Sequence, residues 1–254
     1  MVHEEFRHEG THLRLVLDQP KGNILSRVLI RDLRQALGEV CRSAAVKLVT
    51  IEGAGDDFSY GASVEEHRPE VVHEVLPELH NLVRELLAVP APTAAIVRGR
   101  CLGGGFEIAL ACDLLFASLT AVMGVPEIAL GVFPPAAAAL LPLRVGVSRA
   151  ASAVLTGQAR PVEKWLEAGL VELTAPPREL EAAVDHWFDL NLAPRSAAAL
   201  RCAALASRAA LREHVDAVLP ALELLYLETL MRTNDAVEGI AAFIEKRPPV
   251  WSHS

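Results

Sequence analysis

The chain has 254 residues, of which 52% are hydrophobic and 22% charged, so it can bury a large core and is too apolar for a disordered protein. Its formal net charge of −8 argues against general attraction to nucleic acid or an anionic membrane, and an anionic ligand would need local basic groups or backbone N–H groups. No signal-peptide pattern opens the sequence and no apolar run is long enough to span a bilayer. Cys41, Cys101, Cys112 and Cys202 form no CxxC pair, which predicts a reducing, cytoplasmic setting without a disulfide framework or zinc site.

In chain order, EEFRHEGTHLRLVLDQ predicts a β-hairpin turning at Glu9 and Gly10, with Leu13, Leu15 and Leu17 on one face. PKGNILS is a loop, and Ser26 is placed to cap the amphipathic helix RVLIRDLRQALGEVCR. VKLVTIEG is a short apolar strand. The loop after it, GAGDDFSYGASVEEHRPE, is long for a compact domain, which points to function. A helix from about Glu70 to Val89 is expected to be interrupted at Pro77. His73 and His80 lie on it among Glu and Asn residues and read as solvated surface, and none of the nine histidines has metal-ligand spacing. PTAAIVRG is a buried-type strand, CLGGGFEIALAC turns from strand into helix, and DLLFAS is again a strand. This alternation predicts an α/β core. Beyond Pro161 the pattern is helical almost throughout, with apolar faces broad enough to suggest burial against another subunit.

The segment RCLGGGFEIALACDLLFA carries the chemistry. Gly103, Gly104 and Gly105 lie between strand and helix, where free N–H groups at a helix N-terminus suit a negative oxygen, although a close-packed turn explains three glycines equally well. Glu107 falls in the first turn of that helix among apolar residues, and Glu127 lies among apolar residues in VMGVPEIALGVFPP. Either alone reads as a paired or partly exposed glutamate. Together, beside an oxyanion site, they suggest acid and base work tuned by burial. Asp113 reads as a structural hydrogen-bonding acid.

FSYGAS, IVRGRCLGGGFEIALACDLLFAS, GVPEIALGVFP and AVEGIAAFIEKRPP, in that order along the chain, resemble the enoyl-CoA hydratase/isomerase (crotonase) superfamily. The resemblance implies an α/β fold, the ClpP-like crotonase spiral of ββα units over residues 1–190. Residues 191–254 would be a helical trimerisation region, giving a homotrimer or a hexamer built as a dimer of trimers. It implies an acyl-CoA thioester substrate, with no metal and no separate cofactor because coenzyme A is part of the substrate. No nucleic-acid or membrane partner is expected. By position, the N–H groups of Ala62 and Gly104 would form the oxyanion hole, Glu107 would activate water and Glu127 would handle the proton on carbon. Lys21 and Asn23 in PKGN would sit at the coenzyme A mouth, and Tyr60 and Gly61 would lie beside the acyl group, with simple packing an equal reading of Tyr60. Phe243 and Lys246 match positions that reach the coenzyme A of a neighbouring subunit, although a lysine at a helix end also suits the helix dipole.

Three positions depart from the common superfamily pattern. Ser63 and Glu65 stand where an Asp and a Lys are usual, and Pro135 stands where a glycine N–H helps place the water. Proline has no N–H to offer. These departures resemble the cyclohexa-1,5-diene-1-carbonyl-CoA hydratases of anaerobic benzoyl-CoA breakdown. That implies hydration to 6-hydroxycyclohex-1-ene-1-carbonyl-CoA through a thioester dienolate. The alternatives are a 2-enoyl-CoA hydratase or isomerase for linear substrates and, from another class, a non-catalytic crotonase-like protein that binds RNA.

Overall fold

The computed structural model describes residues 1–40 and 43–254, so Cys41 lies outside the described residues. The hairpin is formed by β1 (Val2–Arg7) and β2 (His12–Leu17), antiparallel with Phe6 opposite Leu13. One helical turn, α1 (Pro20–Asn23), and the amphipathic α2 (Arg27–Val40) lead to β3 (Leu48–Gly53). After the long loop come α3 (Val72–Ala88), β4 (Thr93–Val97), β5 (Arg100–Leu102), α4 (Gly104–Ala111), β6 (Leu114–Ser118) and β7 (Val122–Gly124). Then follow α5 (Pro135–Val145), α6 (Val147–Thr156), β8 (Arg160–Pro161), α7 (Val162–Glu167), β9 (Leu173–Ala175) and α8 (Leu180–Asn191). The chain closes with α9 (Ala197–Ser207), α10 (Ala209–Leu224) and α11 (Asn234–Ile244).

The strands form a six-stranded sheet in the order β1-β2-β3-β4-β6-β9, parallel from β2 onward, and a three-stranded sheet in the order β5-β7-β8. Successive turns place one strand in the large sheet, one in the small sheet and a helix between them, which is the ββα spiral. Leu13, Leu15 and Leu17 face a core shared with α2, α3, α4 and α5. The opposite face of the large sheet is covered by Leu180, Val184 and Phe188 of α8, packed on Ile96 and Phe116.

Two expectations need correction. Pro77 does not interrupt α3, because a proline near the start of a helix costs one hydrogen bond while Leu76, Leu79, Leu82, Val83 and Leu86 stay buried along one face. The region after Pro161 is also not all helix. The three-residue β9 pairs with β6 and extends the large sheet, a strand too short to show periodicity.

Asp113 is structural, as the sequence suggested. It accepts from Thr93 N at 2.8 Å and from Arg208 Nε at 2.5 Å, and Arg208 is 3% exposed. This pair ties the start of α10 to the strand ends, and Val215 and Leu219 of α10 enter the main core. The final residues fold back over α11. Ser254 O accepts from Asn234 N at 2.8 Å, and Asp235 accepts from the N–H groups of Ser252 and His253 at 2.6 and 2.9 Å. The Trp251 ring then lies so close to Gly131 that a Cβ there would sit 3.1 Å from it. Cys101 and Cys112 are buried free thiols and Cys202 is an exposed one. No helix among the described residues is long and apolar enough to cross a membrane.

Candidate active site

The site is built where the long loop crosses the small sheet. Ser59 bridges Cys101 of β5 and Ala62 bridges Leu25, so residues 59–62 run as a short extra strand beside the β5–α4 junction. Leu25 donates to Gly61 O and accepts from Ser63 N, at 2.9 and 3.2 Å. The Ala62 N–H therefore points to the other side of the bridge. There it meets α4, and a Cβ on Gly104 would lie 3.3 Å from Ala62 N. Gly104 opens α4, so its own N–H has no carbonyl one turn earlier to accept it. Two N–H groups thus come together at a helix N-terminus.

Close approach requires Gly103 and Gly105 and leaves little room beside Gly104. Gly103 has φ 51°, and a Cβ on it would come within 2.6 Å of Glu127 Oε1. A Cβ on Gly105 would stand 2.6 Å from that of Ser59. The sequence left open whether these residues were a close-packed turn or an anion site. The geometry makes them both a packed turn and the frame for two N–H donors.

Glu107 is 3% exposed. Its carboxylate does not serve the N-terminus of its own helix. Instead Oε1 accepts from Ala137 N at 2.8 Å, at the start of α5, and the Ala136 N–H also contributes. Pro134 and Pro135 form the N-cap and first residue of α5. Proline is well suited to that position, since the N–H it lacks has no helical partner. Pro135 thus starts a helix whose next two N–H groups hold Glu107.

Glu127 lies in a short 3-10 segment, Pro126–Leu130, and its Oε2 is buried without a hydrogen-bond partner. Burial, helped by the charge of Glu107, pushes Glu127 up to about 8. Burial raises Glu107 above its ordinary value as well, and His80 and the N–H groups of Ala137 and Ala136 oppose part of that rise. Glu107 therefore has three stabilising partners that Glu127 lacks. The two acids are split, with Glu107 the more readily ionised.

Two further groups were missed by the sequence reading. His80 is not on a solvated surface: it is completely buried, with Nδ1 2.6 Å from Glu223 Oε2 and Nε2 unpartnered. His73, by contrast, is exposed as expected. Tyr226 is 1% exposed and its hydroxyl has no partner. Burial raises it, and the charges of Glu127 and then Glu107 raise it further. It sits in a π-helical turn, Leu225–Thr229, where the sequence suggested uninterrupted helix. Such turns recur at functional sites, but residue periodicity gives no sign of one.

The expected coenzyme A positions divide. Lys21 is exposed, with φ 66°, in the tight PKGN turn. Asn23 is 2% exposed and fully engaged: Nδ2 donates to Ala54 O, Asp57 O and Phe58 O at 3.0–3.2 Å, and Oδ1 accepts from Gln19 N. Its amide clips the turn to the long loop, with both Nδ2 hydrogens engaged by backbone carbonyls. Tyr60 packs against Gly22, donates to Asp57 Oδ2 at 3.1 Å and lies under the Arg100 guanidinium. It stands at the outer loop, while Gly61, with φ 100°, is held against Leu102 O. Phe243 and Lys246 are at the exposed end of α11. Away from this site, His8, His12 and Asp185 bring ligand-type atoms within 4.8 Å of one another, a grouping that chain spacing did not reveal.

The sequence profile described as "Enoyl-CoA hydratase/isomerase" matches residues 9–254. The chain belongs to the enoyl-CoA hydratase/isomerase family. It is 44% identical to the cyclohexa-1,5-dienecarbonyl-CoA hydratase of Thauera aromatica, over 96% of this chain and 94% of that protein. It is 31% identical to the enoyl-CoA isomerase/hydratase fer4 of Mycosarcoma maydis, over 94% and 91%. Among solved structures, an enoyl-CoA hydratase from Mycobacterium avium subsp. paratuberculosis K-10 superimposes with a TM-score of 0.86 at 31% identity, covering 99% and 98%. The crotonase fold and a hydro-lyase of the enoyl-CoA hydratase type follow from these likenesses.

Proposed function

We propose that this hydratase adds water to cyclohexa-1,5-diene-1-carbonyl-CoA to give 6-hydroxycyclohex-1-ene-1-carbonyl-CoA, in the cytoplasmic breakdown of benzoyl-CoA. The observation that carries the substrate is the 44% identity, over nearly the full length, to a hydratase named for that diene. The split between Glu107 and Glu127 supports the mechanism.

Glu107, ionised and fixed by the α5 N–H groups, takes a proton from water as the oxygen bonds to ring C2. The C1–C2 double-bond electrons move to the thioester oxygen, which the Ala62 and Gly104 N–H groups stabilise. One such donor is worth about 3 kcal/mol of barrier. The dienolate then takes a proton from Glu127 at C5, and the remaining double bond becomes C1–C6, so one water is added overall. A carboxyl raised to about 8 by burial is protonated at neutral pH, as an acid must be. Lys21 at the mouth, with Phe243 and Lys246 from a neighbouring subunit of a homotrimer or a hexamer, would meet the coenzyme A moiety.

The test is anaerobic turnover of the cyclic diene and of crotonyl-CoA side by side, with products resolved by mass. The expected result is a gain of one water by the diene and little by crotonyl-CoA. Fast hydration of crotonyl-CoA with an inert diene would overturn the substrate and favour the linear 2-enoyl-CoA reading.

A further inference from the structure

We propose that His8, His12 and Asp185 form a binding site for one Zn²⁺ ion, which clamps the β1–β2 hairpin to α8.

The hairpin turn meets α8 on the face of the large sheet away from the core that surrounds Glu107. His8 and Glu9 adopt φ 48° and 56°, a left-handed turn, and the His8 ring lies 4.6 Å from that of Phe188. His12 opens β2, is 1% exposed and sits 5.5 Å from the same ring. Asp185 and Asp189 stand three residues before and one after Phe188, so the three share a face of α8. Ligand-type atoms of His8, His12 and Asp185 thereby come within 4.8 Å of one another.

The hydrogen bonds around these atoms suit a metal. His8 Nε2 is 3.3 Å from Asp185 Oδ1. Two zinc ligands at the corners of a tetrahedron stand about 3.3 Å apart, so one edge of the coordination shell is already in place. His8 Nδ1 is 3.3 Å from Asp189 Oδ1, and a carboxylate on the second ring nitrogen fixes the tautomer of a metal-bound histidine. His12 Nε2 is 2.9 Å from Thr50 Oγ1, while its Nδ1 is buried without a partner. Metal binding at Nδ1 leaves the proton on Nε2, where Thr50 Oγ1 accepts it. The His8 and Asp185 side chains are 25% and 32% exposed, so water can take the fourth position.

The neighbouring cations are already matched. Arg7 pairs with Glu181 and reaches Asp185 Oδ2 at 3.5 Å, leaving Oδ1 for the ion. Arg14 is held by Glu5, Glu52 and Glu181. Two imidazoles with one carboxylate favour zinc over magnesium or calcium, which take oxygen ligands.

Without an ion the same residues are a His8 ion pair with two carboxylates, beside a His12 nitrogen with nothing to bind. The two readings differ in what Zn²⁺ does. The experiment is calorimetric titration of Zn²⁺ into the full chain, with melting curves in its presence and absence. The variants are His8→Gln, His12→Gln, Asp185→Asn and Asp189→Asn, with His73→Gln and Cys202→Ser as controls for an exposed imidazole and an exposed thiol. The expected result is one ion per chain and a raised melting temperature. Asp189→Asn should weaken binding about tenfold, and loss of any ligand should weaken it further and abolish the thermal gain. The controls should bind as the wild type does. Should the buried His12→Gln fold poorly, His8→Gln and Asp185→Asn carry the same comparison. No saturable binding would overturn the proposal. Binding that survives unchanged in His8→Gln and Asp185→Asn would mean an adventitious ion only and overturn it equally.

Discussion

At the scale of single residues, what distinguishes the two glutamates is the company each keeps. Glu107 has N–H donors and an imidazole, whereas Glu127 has a buried, unpartnered oxygen. Glutamine at either position removes a proton-transfer group while keeping its volume. Steady-state hydration should fall about 10²–10⁴-fold in each variant, with KM changed much less. The same asymmetry acts on stability. Glu127 is raised in the folded chain to about 8 from an ordinary 4.5, so its contribution is fully present below 4.5 and is lost as pH rises toward 8. Glu127→Gln has no proton to lose. Its thermal midpoint should match the wild type near pH 4.5 and exceed it progressively up to pH 8, by about 2–4 °C for each kcal/mol involved. Parallel melting curves at several pH values would show whether the gap opens in that window. A constant gap would mean that Glu127 is not protonated in the fold.

At the scale of elements, the Pro134–Pro135 start of α5 has a defined task. Its fixed backbone aims the Ala136 and Ala137 N–H groups at Glu107. Pro135→Gly should loosen that start and lower kcat roughly tenfold through misplacement of the base. An unchanged rate and an unchanged product would remove this role. Such elements also mark how far sequence reasoning reached. The burial of Glu107 and Glu127 was legible because a carboxylate amid apolar residues needs a reason, and the proposed oxyanion donors because three glycines at a strand–helix junction leave N–H groups free. Pro135 was read as a missing donor beside the substrate, and its tie to Glu107 stayed hidden since the helix it initiates meets Glu107 across space. His80 looked like surface because its partner Glu223 lies on a helix 143 positions away along the chain. The loop-holding task of Asn23 was hidden because its four backbone partners come from chain segments on either side of it. Periodicity reports which face of an element is buried, and the groups waiting there are set by the tertiary fold.

At the scale of the whole molecule, the buried Asp113–Arg208 pair joins the spiral to the last helices. Arg208→Met would leave Asp113 without its cation and should cost about 3 kcal/mol. Urea unfolding should show a lower midpoint with an unchanged slope. Assembly is a separate question. Phe243, Leu224, Leu225 and Val237 are exposed on the final helices, and the proposed homotrimer would cover such surface. Sedimentation equilibrium should give three or six times the 27.3 kDa chain mass. A monomer at micromolar concentration would leave Phe243 and Lys246 with no coenzyme A to meet.

The folded-back tail does more than end the chain against α11. Trp251 presses on Gly131, at the end of the segment that carries Glu127, and Ser252–Ser254 are bonded to the start of α11. The same ring also lies 3.0 Å from where a Cβ on Gly239 would sit, so it is wedged between α11 and the turn that ends the Glu127 segment. The tail is a wedge rather than a loose end, and Trp251→Ala would leave the Asp235 bonds to Ser252 and His253 in place while opening the space beside Gly131.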